Sequence, residues 1–245
     1  MISGISRYAI DFFDGILDVI APRICVVCNE LIPDRHSPGS KYICPACMDR
    51  IPLAPEATIT LNELVTHFPG DRLGLESVHS CFSVQAHQDG GLMTLIHLLK
   101  YKGLRQIGTD IGLCMGDYFA SLQSSIHADM IIPVPIHPAR RRERGYNQAE
   151  QIAQGLSLAV PIPVRTNVLR RRRHHQSQTT LRGTQRSLNV RQAFAPGPDS
   201  HLLHNSTIVL VDDVLTTGST LNELALCALD HGARHVHALT ALRAR

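Results

Sequence analysis

Residues Ile208–Thr220 read IVLVDDVLTTGST, and the fold turns on this stretch. Its four leading apolar residues, Ile208, Val209, Leu210 and Val211, predict a short strand buried on both faces. Two carboxylates follow, Asp212 and Asp213, then hydroxyls around one glycine: Thr216, Thr217, Gly218, Ser219 and Thr220. The residues from Leu221 to Leu229 predict a helix. Backbone N–H groups at a helix start, aided by Thr and Ser hydroxyls, can hold a phosphate. The carboxylates would repel that phosphate; they suit sugar hydroxyls or a divalent metal. Phosphate and vicinal hydroxyls on one turn imply a ribose 5-phosphate. The plainer reading is a buried strand ending in a solvated Asp pair. The rival phosphate loop, G-x-x-x-x-G-K-[ST], is absent from the sequence.

A second strand–loop–helix unit lies upstream. Asp129–Ile136 (DMIIPVPI) predicts a buried strand that runs into HPARRRERGYNQAE. A loop with Arg140, Arg141, Arg142, Arg144 and Gly145 would then lead to a helix from Asn147 to Leu158. Arginine suits bidentate phosphate contacts. Cations at a helix N-terminus oppose the helix dipole, which favours an anion-binding loop over a solvated basic helix start. The net charge of +3 hides an asymmetry: residues 139–191 hold twelve arginines against Glu143 and Glu150, while the rest of the chain is net acidic. Such a patch fits a polyanion: pyrophosphate, nucleic acid or both. From Arg170 to Phe194 the sequence is polar, basic and weakly periodic, which predicts a mobile excursion that orders on an anion. Gln178, Arg182, Arg186 and Asn189 are its candidates to reach ligand. Arg170, Arg171, Arg172 and Arg173 are candidates for DNA or phosphate contact, and His174 and His175 read as solvated.

The N-terminal third carries different chemistry. Cys25-Val-Val-Cys28 and Cys44-Pro-Ala-Cys47 form two C-x2-C knuckles separated by fifteen residues. Two knuckles supply four thiolates in a tetrahedral set, the pattern of structural zinc. Residues 1–20 have only Arg7 as a basic residue beside Asp11, Asp14 and Asp18, which argues against a secretory signal. They read as an amphipathic helix packed on its own domain. Seven cysteines without such a signal point to reduced thiols and metal rather than disulfides. No apolar run reaches the ~18 residues of a membrane span. Pro52–Gly74 reads as a linker with a short helix at 61–67, Ser77–Gln85 as a strand, and 92–101 and 106–123 as helices. Lys100 and Lys102 close the first of these two helices. They either face a phosphate or are the usual cations at a helix C-terminus. Pro163–Leu169 suggests a short strand, residues 195–206 a surface loop, and His235–Leu242 the final strand. Cys81, Cys114 and Cys227 read as core.

The V-D-D-V-x-T-T-G-S-T stretch resembles the phosphoribosyl pyrophosphate (PRPP) motif of type I phosphoribosyltransferases. Taken with the four-cysteine knuckles, L-K-Y-K-G, V-P-I-H-P-A-R-R-R-E-R-G-Y-N-Q-A and Q-x3-R-x3-R-x2-N-V-x2-A-F, the chain is identified as a member of the ComF family of competence proteins and GntX-type relatives. The resemblance covers nearly the whole chain and is least specific from about 48 to 90. It implies an α/β fold: a twisted, mainly parallel sheet flanked by helices, with a small N-terminal zinc-binding segment. The expected division is 1–55 for the N-terminal helix and cysteine segment, 56–125 for a connecting or hood region, and 126–245 for the PRPP-binding domain. It also implies that Asp212 and Asp213 take the ribose hydroxyls and that Thr216–Thr220 take the 5-phosphate. Arg140, Arg144, Gly145 and Asn147 belong to the pyrophosphate loop, and residues 170–194 to a loop closing over the site.

The implied cofactors are structural Zn2+ on Cys25, Cys28, Cys44 and Cys47, and Mg2+ with PRPP. The implied setting is natural transformation in the cytoplasm, with incoming single-stranded DNA and a helicase or other competence proteins as partners. Three functional readings stand. One is a PRPP-dependent transferase whose acceptor is unidentified, in DNA uptake or in nucleotide salvage. The second is a PRPP-sensing or DNA-binding module that keeps the fold without turnover. The third is an assembly factor that docks partners through the cysteine segment. No residue stands out as a general base.

Overall fold

This computed structural model describes residues 22–32, 41–68, 72–84, 91–122, 125–172 and 193–244. The N-terminal amphipathic helix, most of the expected loop after Arg172 and the two histidines at 174 and 175 lie outside the described residues. In chain order the elements are α1 (Pro45–Met48), α2 (Ala57–His67), β1 (Ser77–Val84), α3 (Leu92–Tyr101), α4 (Arg105–Leu122) and β2 (Met130–Pro133). There follow α5 (Pro138–Arg144), α6 (Gln148–Ala159), β3 (Leu169–Arg171) and β4 (Phe194–Pro196). After a 3-10 turn at Ser200–Leu203 come β5 (Thr207–Leu215), α7 (Ser219–Asp230) and β6 (His235–Ala244).

Four strands form one parallel sheet in the order β1-β6-β5-β2. The apolar run at 208–211 is the physical reason β5 lies inside it: all four residues are inaccessible to solvent, as expected for a strand covered on both faces. Alternation along β5 divides the core. Val209 and Val211 face α3, α4 and α6, while Ile208 and Leu210 face α7 and the β3–β4 hairpin. The first cluster also contains Cys25, Ile32, Ile43, Cys44, Cys47 and Ile51, so the cysteine segment shares a core with the sheet. Asp110 of α4 ties it down by accepting from Lys41 N at 3.2 Å and from Gln106 Nε2 at 2.9 Å.

The structure changes several expectations. The arginine segment expected as a loop is the helix α5, started by Pro138 and stopped at Gly145, whose φ is 77°. Pro163–Leu169 forms only a bridge from Val164 to Ile131; the ladder in this region is β3 with β4, a two-stranded antiparallel unit. The short helix expected at 61–67 begins at Ala57. The surface loop expected at 195–206 contains the end of β4 and the 3-10 turn. Cys81 is buried, while Cys114 and Cys227 are only half-buried.

Helices α4 and α6 approach so closely that their backbones touch. A Cβ on Gly112 would lie 2.0 Å from Ile152 O, and one on Gly155 would lie 2.1 Å from Thr109 O. Neither partner is a side-chain tip that can swing aside. At the opposite end of the sheet from the 216–218 turn, β1 and β6 carry a polar relay. Ser77 Oγ lies 2.8 Å from His237 Nδ1 and 3.0 Å from His79 Nε2, and His79 Nδ1 lies 3.4 Å from the Tyr118 hydroxyl. Burial, and secondarily the charge of His237, pushes His79 down to about 4.

Gly155→Ala is expected to cost about 3 kcal/mol through backbone overlap, read as a lower urea midpoint at unchanged slope. The His79 shift has a definite sign: its folded value lies below the unfolded one, so the neutral ring stabilises the fold above the unfolded value. That contribution is lost as pH falls from about 6.5 towards 4. The thermal midpoint should therefore drop across that window, by the equivalent of about 1–3 kcal/mol. A His79→Gln variant should show a shallower drop in the same scan.

Candidate functional site

Strands β2 and β5 are hydrogen-bonded neighbours running in the same direction, with Pro133 opposite Val211 and Val134 N donating to Val211 O at 2.9 Å. The segments that follow them therefore emerge side by side at one edge of the sheet, where parallel α/β sheets bind ligands. One is the 216–218 turn and the other is the arginine helix α5. In the turn, Gly218 adopts φ 76° and a Cβ there would sit 2.4 Å from Leu64 Cδ2, so both conformation and space require glycine. Thr216 and Thr217 are exposed. Thr217 Oγ1 lies 3.0 Å from Ser219 Oγ, and no side chain caps the N-terminus of the twelve-residue helix α7. Ser219 N makes only a long bond, 3.5 Å, to Thr217 Oγ1, and the N–H groups that follow it in the first turn are left for a ligand or water.

The two acids are adjacent in β5 and differ in burial. Asp213 is 4% exposed and ion-paired with Lys100 at the end of α3. The contact is close but poorly aligned, since Asp213 Oδ2 lacks a hydrogen bond of good geometry. Lys100 is thus more than a cation at a helix end. Asp212 is half-buried and accepts from Asp213 N at 2.9 Å. Burial first, and then the charge of Asp213, holds its carboxyl well above the usual carboxylate range, with Lys100 opposing. Asp212 has no salt bridge among the described residues. Two carboxylates at one strand end supply hard oxygen donors, so the pair fits a divalent cation carried in on a polyphosphate; at Asp213 the lysine already provides positive charge.

In α5, His137 Nδ1 caps the helix by accepting from Ala139 N at 3.2 Å. Arg141 is bonded to Glu150 at 2.8 and 3.2 Å. Arg144 donates to Gln148 Oε1 at 2.9 Å and lies 5.2 Å from the centre of the Tyr101 ring. Asn147 is buried and committed to the N-cap of α6: its Nδ2 donates to Val134 O at 2.9 Å and its Oδ1 accepts from Ala149 N at 3.1 Å. Arg140 and Arg142 are exposed with no ion pair among the described residues. Arg141, Arg142 and Arg144 lie in the last turn of a helix, where cations are favoured, and Arg140 precedes them. The dipole argument for an anion loses its basis, and the proximity to the end of β5 takes its place. Lys102 is exposed at the cap of α3. Arg173, Gln178, Arg182, Arg186 and Asn189 lie outside the described residues.

Glu223 escaped the sequence reading. It lies one helical turn after Ser219, so the i, i+4 spacing from the hydroxyl run carried the available signal. It is half-buried, and burial, opposed by Arg171, raises its carboxyl to about 7. Tyr101 is another: it is 58% exposed, with the His97 ring 4.7 Å away centre to centre.

The four cysteine sulfurs at 25, 28, 44 and 47 all lie within 4.8 Å of one another, and Cys28 Sγ is 3.8 Å from Cys44 Sγ. Zinc–sulfur bonds of about 2.3 Å in a tetrahedron place sulfurs about 3.8 Å apart, so the set fits a zinc ion. Burial pushes the Cys25 thiol up, but N–H donors from Cys28, Cys44 and Val27 outweigh it and hold it at about 6. Cys47 is pushed up to about 12 by burial and by the neighbouring sulfurs. The site favours one thiolate and resists four, which is the condition a bound dication relieves.

The family described as phosphoribosyl transferase domain matches residues 141–245. Competence protein F of Haemophilus influenzae is 40% identical over 97 residues, covering 40% of this chain and 42% of its own. The DNA utilization protein YhgH of Salmonella typhimurium is 28% identical over 216 residues, 87% of each chain. Competence protein ComFC of Bacillus subtilis is 31% identical over 130 residues, 51% of this chain and 50% of its own. The match thus spans under half of the Haemophilus protein and half of the Bacillus one. Among solved structures, the glutamine PRPP amidotransferase of B. subtilis matches 54% of this chain and 25% of its own at 19% identity and a TM-score of 0.39. The chain thus carries a phosphoribosyl transferase domain at its C-terminal end and is similar to competence proteins F and ComFC and to the DNA utilization protein YhgH.

Proposed function

We propose that this protein binds PRPP in the setting of DNA uptake or use. The observation that carries the reading is the uncapped start of α7 behind Gly218, next to the end of β2 and its arginine helix. The 5-phosphate lies on the N–H groups and hydroxyls of Thr216–Thr220. The ribose hydroxyls lie against Asp212 and Asp213, and the pyrophosphate faces Arg140 and Arg142, whose guanidiniums have no competing ion pair among the described residues. A magnesium ion bound with PRPP would offset pyrophosphate charge beside the two acids. Turnover would break the C1–O bond to pyrophosphate as a nucleophile takes C1. The carboxylates, one of them held in place by Lys100, would stabilise the positive charge developing on the ribose. The chain's contribution is positioning and electrostatics.

A second reading, single-stranded DNA binding without turnover, is favoured by one group of residues. Tyr101 is exposed, His97 and Arg144 pack about it, and Lys102 and Arg105 lie close by in sequence. A base stacked on Tyr101 with its phosphates on these cations is the usual geometry of such sites. The four-cysteine segment, anchored to the same core, would present a fixed surface to a helicase or other partner.

Two measurements test these assignments. Calorimetric titration with Mg·PRPP should show binding that Asp212→Ala/Asp213→Ala weakens at least tenfold; equal affinity of the double variant would remove PRPP from the site. Metal analysis of the reduced protein should find one zinc per chain, and Cys44→Ser should lower both zinc content and thermal midpoint. Absence of zinc from the reduced wild type would refute the metal assignment.

A further inference from the structure

A groove of about 720 Å³ lies beside this site, lined by Pro138 at the start of α5 and by Arg170, Arg171, Arg172, Ala195 and Pro196 of the β3–β4 hairpin. We propose that it is a second anion site, distinct from the PRPP turn, which binds the phosphate of a nucleoside phosphate ester. The groove has the proportions of a small-ligand pocket. Its walls combine guanidinium groups with Pro138, Ala195 and Pro196, which suits a ligand with one charged end and a flat or apolar body. Its distinctness from a PRPP site rests on the PRPP reading; the binding of the phosphate ester does not.

The charges in the groove are unpaired in a specific way. Arg170 is partly used, donating Nε to Pro196 O at 3.0 Å. Arg171 is half-buried, stacks its guanidinium 5.5 Å from the centre of the Phe194 ring, and has a buried Nε with no hydrogen-bond partner. The groups whose charges reach Arg171 are Arg140 of α5, Glu223 of α7 and Asp212 of β5. Burial and the repulsion of Arg140 lower its affinity for its proton, and Glu223 and Asp212 counter this. Neither acid forms a salt bridge with it among the described residues, and Glu223 Oε1 is itself buried without a partner. Two half-paired guanidiniums beside a carboxyl with raised proton affinity form a site of net positive charge. A buried cation left without a partner is costly, and a phosphate set against Arg171 relieves that cost while satisfying the planar fork. Arg172, exposed at the groove's edge, adds charge without burial.

The free nucleotide and the phosphorylated end of a strand share this chemistry, and calorimetric titration separates them. The probes are 2'-deoxyadenosine 5'-monophosphate, a 5'-phosphorylated oligodeoxynucleotide, and deoxyadenosine as the phosphate-free control, each with full-length protein. The nucleotide should bind, the control should not, and Arg171→Ala should weaken nucleotide binding at least tenfold while weakening PRPP by at least fivefold less. Arg172→Glu provides a second, exposed variant should Arg171→Ala lower the yield of folded protein; it should weaken the nucleotide at least threefold. Binding of the oligonucleotide but not the mononucleotide, with the same sensitivity to Arg171, assigns the groove to a strand end and upholds the phosphate site. The proposal is overturned if neither phosphorylated probe binds, if the control binds equally, or if the variants bind as the wild type does. Equal weakening of PRPP and nucleotide by Arg171→Ala also overturns it, because the groove would then be part of the PRPP site. Nucleotide binding without PRPP binding would sink the PRPP reading and leave this one standing.

Discussion

The parallel pairing of β2 with β5 is the constraint on which the rest depends. These two strands are Met130–Pro133 and Thr207–Leu215, separated by two helices, a hairpin and a long basic stretch. Their shared register brings the end of one beside the end of the other. The 216–218 turn and the arginine helix meet for that reason. Everything packed on the sheet serves the same edge: Leu64 of α2 presses on Gly218, Lys100 of α3 reaches Asp213, and the β3–β4 hairpin brings Arg171 towards Asp212 and Glu223.

Electrostatics at that edge is a distribution of unpaired groups more than a simple positive patch. Arg141 and Arg144 of α5 are engaged by Glu150 and Gln148 of α6, while Arg140, Arg142 and Arg171 form no salt bridge among the described residues. On the acidic side the division is similar. Asp213 is neutralised by Lys100, while Asp212 pays for its burial with a proton affinity far above normal. An active or binding site commonly collects such perturbed groups. The cysteine cluster shows the same principle in another form: Cys25, Cys44 and Cys47 are buried in the main hydrophobic core with Cys28 exposed beside them, and burial and the neighbouring sulfurs push the Cys47 thiol up.

Much of the architecture was legible because long-range order follows from local pattern in this fold. The 208–211 apolar run, the helix start at Asn147 and the amphipathic stripe Leu92, Leu95, Ile96 and Leu99 each set an element within a residue or two. The failures have a physical cause. Pro138 reads as a loop residue but is also a good first residue of a helix, so the arginine segment folded into α5 where a loop was expected. Pro163–Leu169 had strand composition but met only one residue of β2, too short a neighbour to extend a ladder.

By itself the sequence determined the chemistry available: two acids ahead of a hydroxyl-rich glycine turn, a four-cysteine set, and a band of arginines, because each depends on residue types at short, fixed spacings. Tertiary structure decided which of these groups are free. Asn147 offers an amide in the sequence but spends it on a helix cap, Lys100 is consumed by an acid more than a hundred residues away, and Glu223 acquires its raised proton affinity only through burial beside Arg171. Availability depends on partners brought from distant parts of the chain, and no local pattern encodes that.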